Sequence, residues 1–113
     1  MTHSMFLTPS PFRLMKVGAK TVELRLYDEK RRKIRVGDLI EFTNTESGEK
    51  LTASVIALHR FDSFASLYHT LSLLECGYTE TDVSAASPDD MNLYYSKEDQ
   101  QKYGVVGIRI TVL

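Results

Sequence analysis

Three charged side chains near the start of the sequence have the types and spacing needed for a binding or reactive site. Lys20 precedes Glu23 and Arg25, which are two residues apart. Residues two apart on a β-strand point to the same face, so Glu23 and Arg25 should share one space, with Lys20 at its entrance. Arg supplies a planar fork of donors, Lys a point charge and Glu an acceptor, which suits a phosphate or a base. A structural ion pair that locks a helix to this strand is the alternative.

A basic run follows these residues. Residues 13–35 contain nine basic and three acidic side chains, whereas residues 75–99 contain seven acidic and one basic. Such asymmetry can steer a polyanion towards one face of a protein. We expect the run to contact an RNA backbone, and a solvated hairpin or edge strand is the alternative. The side chains concerned are Lys30, Arg31, Arg32, Lys33 and Arg35.

Several tyrosines could stack on nucleobases, although aromatic residues beside apolar ones often belong to the core. The candidates are Tyr27, Tyr94, Tyr95 and Tyr103. Tyr27 is the preferred one, because it continues the alternation of Glu23 and Arg25 and should share their face.

The sequence predicts no metal site and no cofactor. Cys76 is the single cysteine, and the three histidines have no companions at ligand spacing. There is also no glycine-rich phosphate loop and no dinucleotide fingerprint.

The elements that position these residues can be read from local signals. Ser10 as a cap, Pro11 at the first helical position and Gly18 after the last turn predict a short helix. Alternation predicts strands at residues 21–27, 39–43 and 51–61. A helix capped by Asp62 or Ser63 should extend to Leu74, because its apolar residues recur every three or four positions.

The second half should contain short helices and one last strand. Thr79, Ser87 and Ser96 each precede an aspartate by three residues, a spacing close to a capping box. Residues 105–113 form an apolar strand, which we expect to be central, with Val106, Ile108, Ile110 and Val112 facing the core. Few helices separate the strands, so we predict an α+β fold: a small, mostly antiparallel β-barrel with short helices at its rim.

The chain has 113 residues, which is the size of one domain, and we treat residues 1–113 as such. Its apolar runs are too short for a membrane span, and its N-terminus has no apolar segment typical of export. A reducing cytoplasm is the expected location.

The pattern of Gly18, Lys20, Glu23 and Arg25 (G-x-K-x-x-E-x-R) is similar to the signature of ASCH domains, the activating-signal-cointegrator homology family. The turn Val36-Gly37-Asp38 and the segments around Pro11-Phe12 and Tyr103-Gly104 resemble stand-alone bacterial members. The resemblance covers nearly the whole chain. It implies a PUA-like barrel whose cleft is lined by the motif, and a role in RNA metabolism or transcription coactivation.

The resemblance also implies two candidate enzymatic activities. Some relatives hydrolyse 4-acetylcytidine with a lysine, a threonine and a glutamate, and ribonuclease activity is attributed to others. Lys20 matches the lysine, Glu23 stands where the threonine would be, and Glu75 approaches the glutamate only after a shift of one residue.

Two routes to catalysis can be compared. To act as a base near pH 7, Lys20 would need a pKa about three units below its reference of about 10.4, which a nearby carboxylate opposes. Glu23 as the base, with Lys20 stabilising an oxyanion, avoids that shift. We therefore expect an RNA- or nucleotide-binding barrel, with a small hydrolase using the same cleft as the first alternative and a protein-interaction module as the second.

Overall fold

The computed structural model describes residues Met1–Leu113. Five strands form one sheet: β1 (Thr2–Leu7), β2 (Val22–Leu26), β3 (Leu39–Asn44), β4 (Lys50–Phe61) and β5 (Val105–Val112). Four short helices lie around it: α1 (Pro9–Lys16), α2 (Glu29–Arg32), α3 (Phe64–Thr70) and α4 (Lys97–Tyr103). Two 3₁₀ turns, Val83–Ala85 and Pro88–Leu93, lie between α3 and α4. None of the helices has the length and apolar character needed to traverse a bilayer.

The strands are arranged in the order β1-β3-β4-β5-β2. All neighbours are antiparallel except β1 and β3, which are parallel. The sheet curls into a half-barrel, so the predicted α+β fold with a mostly antiparallel sheet is confirmed. The last strand is central, as predicted, because β5 pairs with both β4 and β2.

Both faces of the sheet carry apolar clusters. Val106, Ile108 and Ile110 belong to the larger cluster, together with residues of β1, β3, β4 and α1. Val105, on the other face of β5, joins a second cluster with the apolar residues of β2 and α3. A Cβ at Gly107 would lie 2.8 Å from Leu71 Cδ1, so this glycine allows the α3 region to pack closely on the sheet.

Strand β1 was not predicted, although its pattern is regular. His3, Met5 and Leu7 are buried and the residues between them are exposed. This is the alternation of a half-buried strand. The buried His3 ring lies 2.8 Å from an Asp38 carboxylate oxygen at the start of β3. The strand therefore adds an apolar stripe and a polar anchor to the barrel.

The basic run contains a helical turn, so the alternative of a hairpin or edge strand is wrong. Asp28 caps α2, and its carboxylate accepts a hydrogen bond from the Arg31 amide. Two helix boundaries also differ from the prediction: α1 begins at Pro9 after Thr8, and α3 ends at Thr70 rather than near Leu74.

The predicted caps in the second half are largely present. Ser63 caps α3 and Ser96 caps α4. Ser87 and Asp90 form a capping box. At Thr79 the expected helix is reduced to the short 3₁₀ turn after Asp82, whose carboxylate accepts from the Thr79 amide and hydroxyl.

Candidate functional site

The site lies where the two edge strands of the half-barrel face each other. Strands β1 and β2 are at opposite ends of the strand order and do not pair with one another. Arg25 on β2 donates from Nη2 to the Phe6 carbonyl of β1 at 2.8 Å. Lys30 donates to the Ser4 carbonyl at 3.0 Å. Side chains thus bridge the seam (the gap between β1 and β2) where backbone hydrogen bonds are absent.

The charged face of β2 points towards the barrel interior. In the register with β5, Glu23 lies opposite Ile108 and Arg25 opposite Val106, and cross-strand partners share a face. The other face, with Val22, packs in the second apolar cluster. The expectation of a half-buried strand is therefore wrong, because β2 is covered on both sides.

Glu23 is the centre of a buried ion triad (Lys20, Glu23 and Arg25). Lys20 Nζ lies 3.2 Å from Oε1, while Arg25 donates from Nε to Oε2 at 2.9 Å and places Nη2 2.7 Å from it. Only 6% of the Glu23 side chain is exposed. Burial alone would raise the pKa of Glu23, but the charges of Lys20 and Arg25 hold this pKa below its usual range. Glu23 is therefore a carboxylate with both oxygens engaged.

Lys20 is surrounded by acceptors. Its ammonium donates to the Cys76 carbonyl at 2.7 Å and the Val22 carbonyl at 3.0 Å, in addition to the contact with Glu23. An ammonium has three N–H donors, and three acceptors of the protein occupy them. Gly77 makes room for this arrangement, since a Cβ there would lie 3.3 Å from Lys20 Nζ. Lys20 has no donor left for a guest.

Arg25 keeps free hydrogen-bonding capacity. Its Nε and Nη2 are engaged by Glu23 and Phe6, whereas Nη1 has no partner within the protein. Burial would lower its pKa, but Glu23 and the neighbouring groups raise it above the ordinary value. Arg25 therefore remains charged, is held on two sides and offers one edge of its guanidinium.

The triad lines a cleft of about 480 Å³. Its other walls come from β1, the start of α1, and residues 77–95, which we call the insert. Three side chains that line the cleft are largely exposed apolar or aromatic groups: Phe6 at 66%, Leu93 at 86% and Tyr94 at 70%. The cleft thus combines a charged floor with an aromatic and apolar mouth.

A hydrogen-bonded chain secures the far wall. The Tyr78 hydroxyl donates to Asp90 at 2.7 Å, and the Tyr68 hydroxyl lies 2.7 Å from that of Tyr78. The Tyr78 hydrogen bond and the Ser87 amide lower the pKa of Asp90, and burial raises the pKa of Tyr78. These tyrosines stay protonated and hold the insert against α3.

The insert is also anchored by packing. Tyr95 stacks on Phe64 of α3, with ring centroids 6.1 Å apart. Burial raises the pKa of Tyr95, while the charges of Arg25 and Arg31 act to lower it. Tyr95 also lines the cleft, so the insert and the triad share one wall of it.

Tyr27 does not line the cleft with the triad. β2 ends at Leu26, and the Tyr27 side chain lines a separate cavity with Arg32 and Arg60. Tyr103 lines that second cavity as well.

Glu75 also lies outside the cleft. Its carboxylate is 3.1 Å from Arg109 Nη1, and its carbonyl accepts the amides of Thr21 and Val22. It anchors the segment that presents Cys76 and Gly77 to Lys20. The geometry gives Glu75 a structural contact rather than a place beside the triad.

The residues of the basic run differ in whether their side chains have partners within the protein. Lys30 bridges the seam, and Arg31 pairs with Asp28 at 3.1 Å. Arg32 donates to the Tyr27 carbonyl at 3.0 Å. Lys33 and Arg35 are exposed and their side chains have no ion-pair partner.

Sequence reasoning missed several residues of the cleft. Phe6 had a signal in the alternation of β1, and Gly77 had one as an isolated glycine before a polar segment. The Tyr68, Tyr78 and Asp90 chain had none, since it joins two elements through tertiary packing. No group of three or more His, Cys, Asp or Glu side chains lies together so that it could hold a metal ion.

Comparison with known proteins places this geometry in a family. The ASCH domain model matches residues 5–113. Among solved structures, hypothetical protein PH0355 is 32% identical, with a TM-score of 0.83 and complete coverage of both chains. Protein PF0455 from Pyrococcus furiosus is 34% identical, with a TM-score of 0.77 and coverage of 100% of this chain and 98% of that one.

More distant structures share the fold. ASCH from Zymomonas mobilis is 16% identical, with a TM-score of 0.65 over 97% of this chain and 66% of that one. No curated protein matches the sequence. The match to the family model covers nearly the entire chain, and the half-barrel has the PUA-like architecture that the motif implied. The chain belongs to the ASCH domain family.

Proposed function

We propose that this protein binds single-stranded RNA, with one nucleotide held in the cleft at the seam between β1 and β2. The observation that carries the proposal is Arg25, which lines the cleft, is held by Glu23 and the Phe6 carbonyl, and keeps Nη1 without a protein partner. A guanidinium immobilised in this way loses little entropy when it binds a planar acceptor or a phosphate.

The mouth of the cleft supports a nucleobase as the guest. Phe6, Leu93 and Tyr94 expose apolar surface there. Soluble proteins rarely expose large contiguous apolar patches unless the patch receives a ligand or a partner. An unstacked base offers a flat apolar face and polar edges, and aromatic side chains commonly receive such bases in single-stranded RNA. Tyr94 is the preferred stacking residue, because its ring is the exposed aromatic group of the insert.

The size of the cleft agrees with this guest. A volume of about 480 Å³ falls in the range of roughly 300–1,000 Å³ that is typical of small-molecule sites. Its charge pattern matters as well, because the positive charges of Lys20 and Arg25 are balanced by Glu23. We infer that the cleft recognises the hydrogen-bonding edge of a base, and that other side chains attract the phosphates.

The RNA backbone would follow α2 and the residues after it. Lys33 and Arg35 are exposed, and Lys30, Arg31 and Arg32 use part of their donors within the protein. Each phosphate neutralised on a single strand contributes about −0.7 to the slope of log affinity against log salt. Four such contacts would give a slope near −3. A role in RNA metabolism, or in regulating transcription or translation in the cytoplasm, follows from this proposal.

The triad supports binding better than hydrolysis. A general base works best with a pKa near the operating pH; although burial acts to raise it, the charges of Lys20 and Arg25 lower the pKa of Glu23, and both of its oxygens already accept hydrogen bonds. An oxyanion stabiliser needs a free donor, and the three N–H groups of Lys20 face protein acceptors. Hydrolysis of 4-acetylcytidine or of RNA is therefore an outcome to be tested, as is binding to a protein partner.

Binding and turnover can be measured on the same protein. Titration with cytidine, adenosine, guanosine and uridine 5′-monophosphates, followed by NMR, should shift signals of Arg25, Tyr94 and Gly77. Arg25→Gln should weaken the best of these ligands about tenfold, and Arg13→Gln, which removes an exposed arginine outside the cleft, should not. Unchanged spectra with all four nucleotides would refute the cleft as a nucleotide site. Release of acetate from 4-acetylcytidine by the wild-type protein would instead establish the hydrolase.

A further inference from the structure

A second cavity, of about 590 Å³, lies beside the end of β2 and is separate from the cleft. Three cationic side chains line it: Arg32 of α2, Arg60 of β4 and Lys102 of α4. Asp62 is the one carboxylate in its lining. Elements distant in the sequence therefore bring a net positive charge to one place.

Aromatic rings hold these cations in position. The guanidinium carbon of Arg32 lies 4.8 Å from the centre of the Tyr27 ring, and that of Arg60 lies 4.6 Å from it. Lys102 Nζ lies 5.1 Å from the centre of the Tyr103 ring. A ring attracts a cation through its quadrupole and leaves the full charge in place.

None of the three cations forms an ion pair. Arg32 uses Nε for the Tyr27 carbonyl, and Arg60 uses Nη1 for the Tyr27 hydroxyl at 3.4 Å, so other N–H groups of both guanidiniums remain available. The cleft differs, because Glu23 neutralises part of its charge and Asp82 and Asp90 also line it. An anion therefore meets more uncompensated positive charge at the second cavity.

We propose that this second cavity binds a phosphodiester of the RNA strand whose base occupies the cleft. The inference rests on the proposed function, and it adds a site to it. Arg25 and Tyr27 are two residues apart in the chain, so their Cα atoms are at most about 7 Å apart and one strand of RNA can reach both places. Arg32, Arg60 and Lys102 are exposed, which suits a polyanion that passes over the surface better than a small enclosed anion.

The test compares a short RNA with a mononucleotide. Arg60→Gln combined with Lys102→Gln removes two charges from the cavity and none from the cleft. The matched control, Arg13→Gln with Lys97→Gln, removes one exposed arginine and one exposed lysine that line neither cavity. Affinity for a fluorescent single-stranded heptaribonucleotide is measured by anisotropy at several salt concentrations, and mononucleotide binding by NMR.

The cavity variant should bind the heptaribonucleotide about tenfold more weakly than wild type, and its salt slope should be shallower by about 0.7 to 1.4. Its mononucleotide affinity should be unchanged, and the variant should remain folded at the temperature of the assay. Equal losses in the cavity and control variants would overturn the inference. Displacement of the RNA by stoichiometric pyrophosphate would also overturn the inference, because it would assign the second cavity to free phosphates. A third contrary result would be an effect of the variant on binding of an acidic peptide, such as oligoglutamate, with no effect on RNA binding.

Failure of the cleft proposal gives a different result. If wild type binds the heptaribonucleotide but no mononucleotide, and the cavity variant still weakens the RNA, the second site stands and the cleft loses its assigned guest.

Discussion

Arg25 on β2 and Phe6 on β1 are joined by a hydrogen bond of 2.8 Å between Nη2 and the backbone carbonyl, although their two strands never pair. The same guanidinium contacts Glu23 through Nε and Nη2. One side chain therefore bridges the two edges of the half-barrel and also presents Nη1 at the cleft. The residue proposed to bind the guest is also part of the wall.

Glu23→Gln should destabilise the fold strongly. The substitution leaves Lys20 and Arg25 without their shared counter-charge in a site where 6% of the Glu23 side chain is exposed. Removal of one partner from a buried ion pair typically destabilises a protein by about 3–5 kcal/mol. We expect the free energy of unfolding in urea at pH 7 to fall by about 3 kcal/mol.

The control for this variant is Glu49→Gln, which removes the partner of Lys16 in an exposed pair and should cost about 1 kcal/mol or less. The pKa of Glu23 is lowered in the folded state, so its contribution is present above the unfolded pKa and is lost as pH falls through the folded value. The gap between wild type and Glu23→Gln should therefore narrow below about pH 4.5. A constant gap at every pH would contradict a charged Glu23.

Gly77→Ala should disturb Lys20. Gly77 has φ +112°, which disfavours a side chain, and its Cβ would lie 3.3 Å from the ammonium. Gly48→Ala is the matched control, since Gly48 has φ +77° and open space around it. Backbone strain of this kind costs on the order of 1–3 kcal/mol, and we expect Gly77→Ala to exceed Gly48→Ala in urea unfolding. Equal costs would mean that the contact with Lys20 adds nothing.

Asp38→Asn should lower stability in a pH-dependent way. The His3 hydrogen bond and the Arg35 amide lower the pKa of Asp38 to about 2. A lowered carboxyl pKa stabilises the fold above the unfolded value of about 3.9 and ceases to do so as pH falls through about 2. The melting temperatures of wild type and Asp38→Asn should therefore differ at pH 6 and converge towards pH 2.

Asp62→Asn removes an exposed carboxylate without an ion-pair partner and is the control for Asp38→Asn. Its melting temperature at pH 6 should equal that of wild type. A difference between wild type and Asp38→Asn that stays constant from pH 6 to pH 2 would exclude the carboxylate as its source.

Tyr94→Ala should weaken RNA binding with little effect on folding, because 70% of Tyr94 is exposed. Stacking of a base on an aromatic ring is worth about 1–3 kcal/mol, so the affinity for a heptaribonucleotide should fall by roughly five- to 150-fold. Tyr94→Phe keeps the ring and should bind nearly as wild type in the same anisotropy assay. Equal losses in the two variants would assign the effect to the hydroxyl.

The sequence predicted the elements whose signals are local. Alternation located β2, β3, β4 and the central β5, and hydroxyl caps located the starts of α3 and α4. The motif of Lys20, Glu23 and Arg25 located three neighbouring charges that do line one cleft.

The features of the site that the sequence did not predict are formed by chain segments that meet only in the folded structure. The burial of Glu23 requires the insert and β1, which lie far from it in the sequence. The three acceptors of Lys20 include the Cys76 carbonyl, and a carbonyl has no signature in a sequence. Alternation placed Tyr27 on the face of Glu23 and Arg25, but it carries no information on which cavity a ring lines, and Tyr27 lines the second cavity.

The gap between β1 and β2 leaves the closure of the half-barrel to side chains. A barrel closed all round by main-chain pairing has a circumference set by its strand number and shear. Here the closure depends on the length and chemistry of the side chains at positions 25 and 30, together with the carbonyls that they reach. We therefore expect substitutions at these two positions to change the width and polarity of the cleft while the pairing of the other strands is kept.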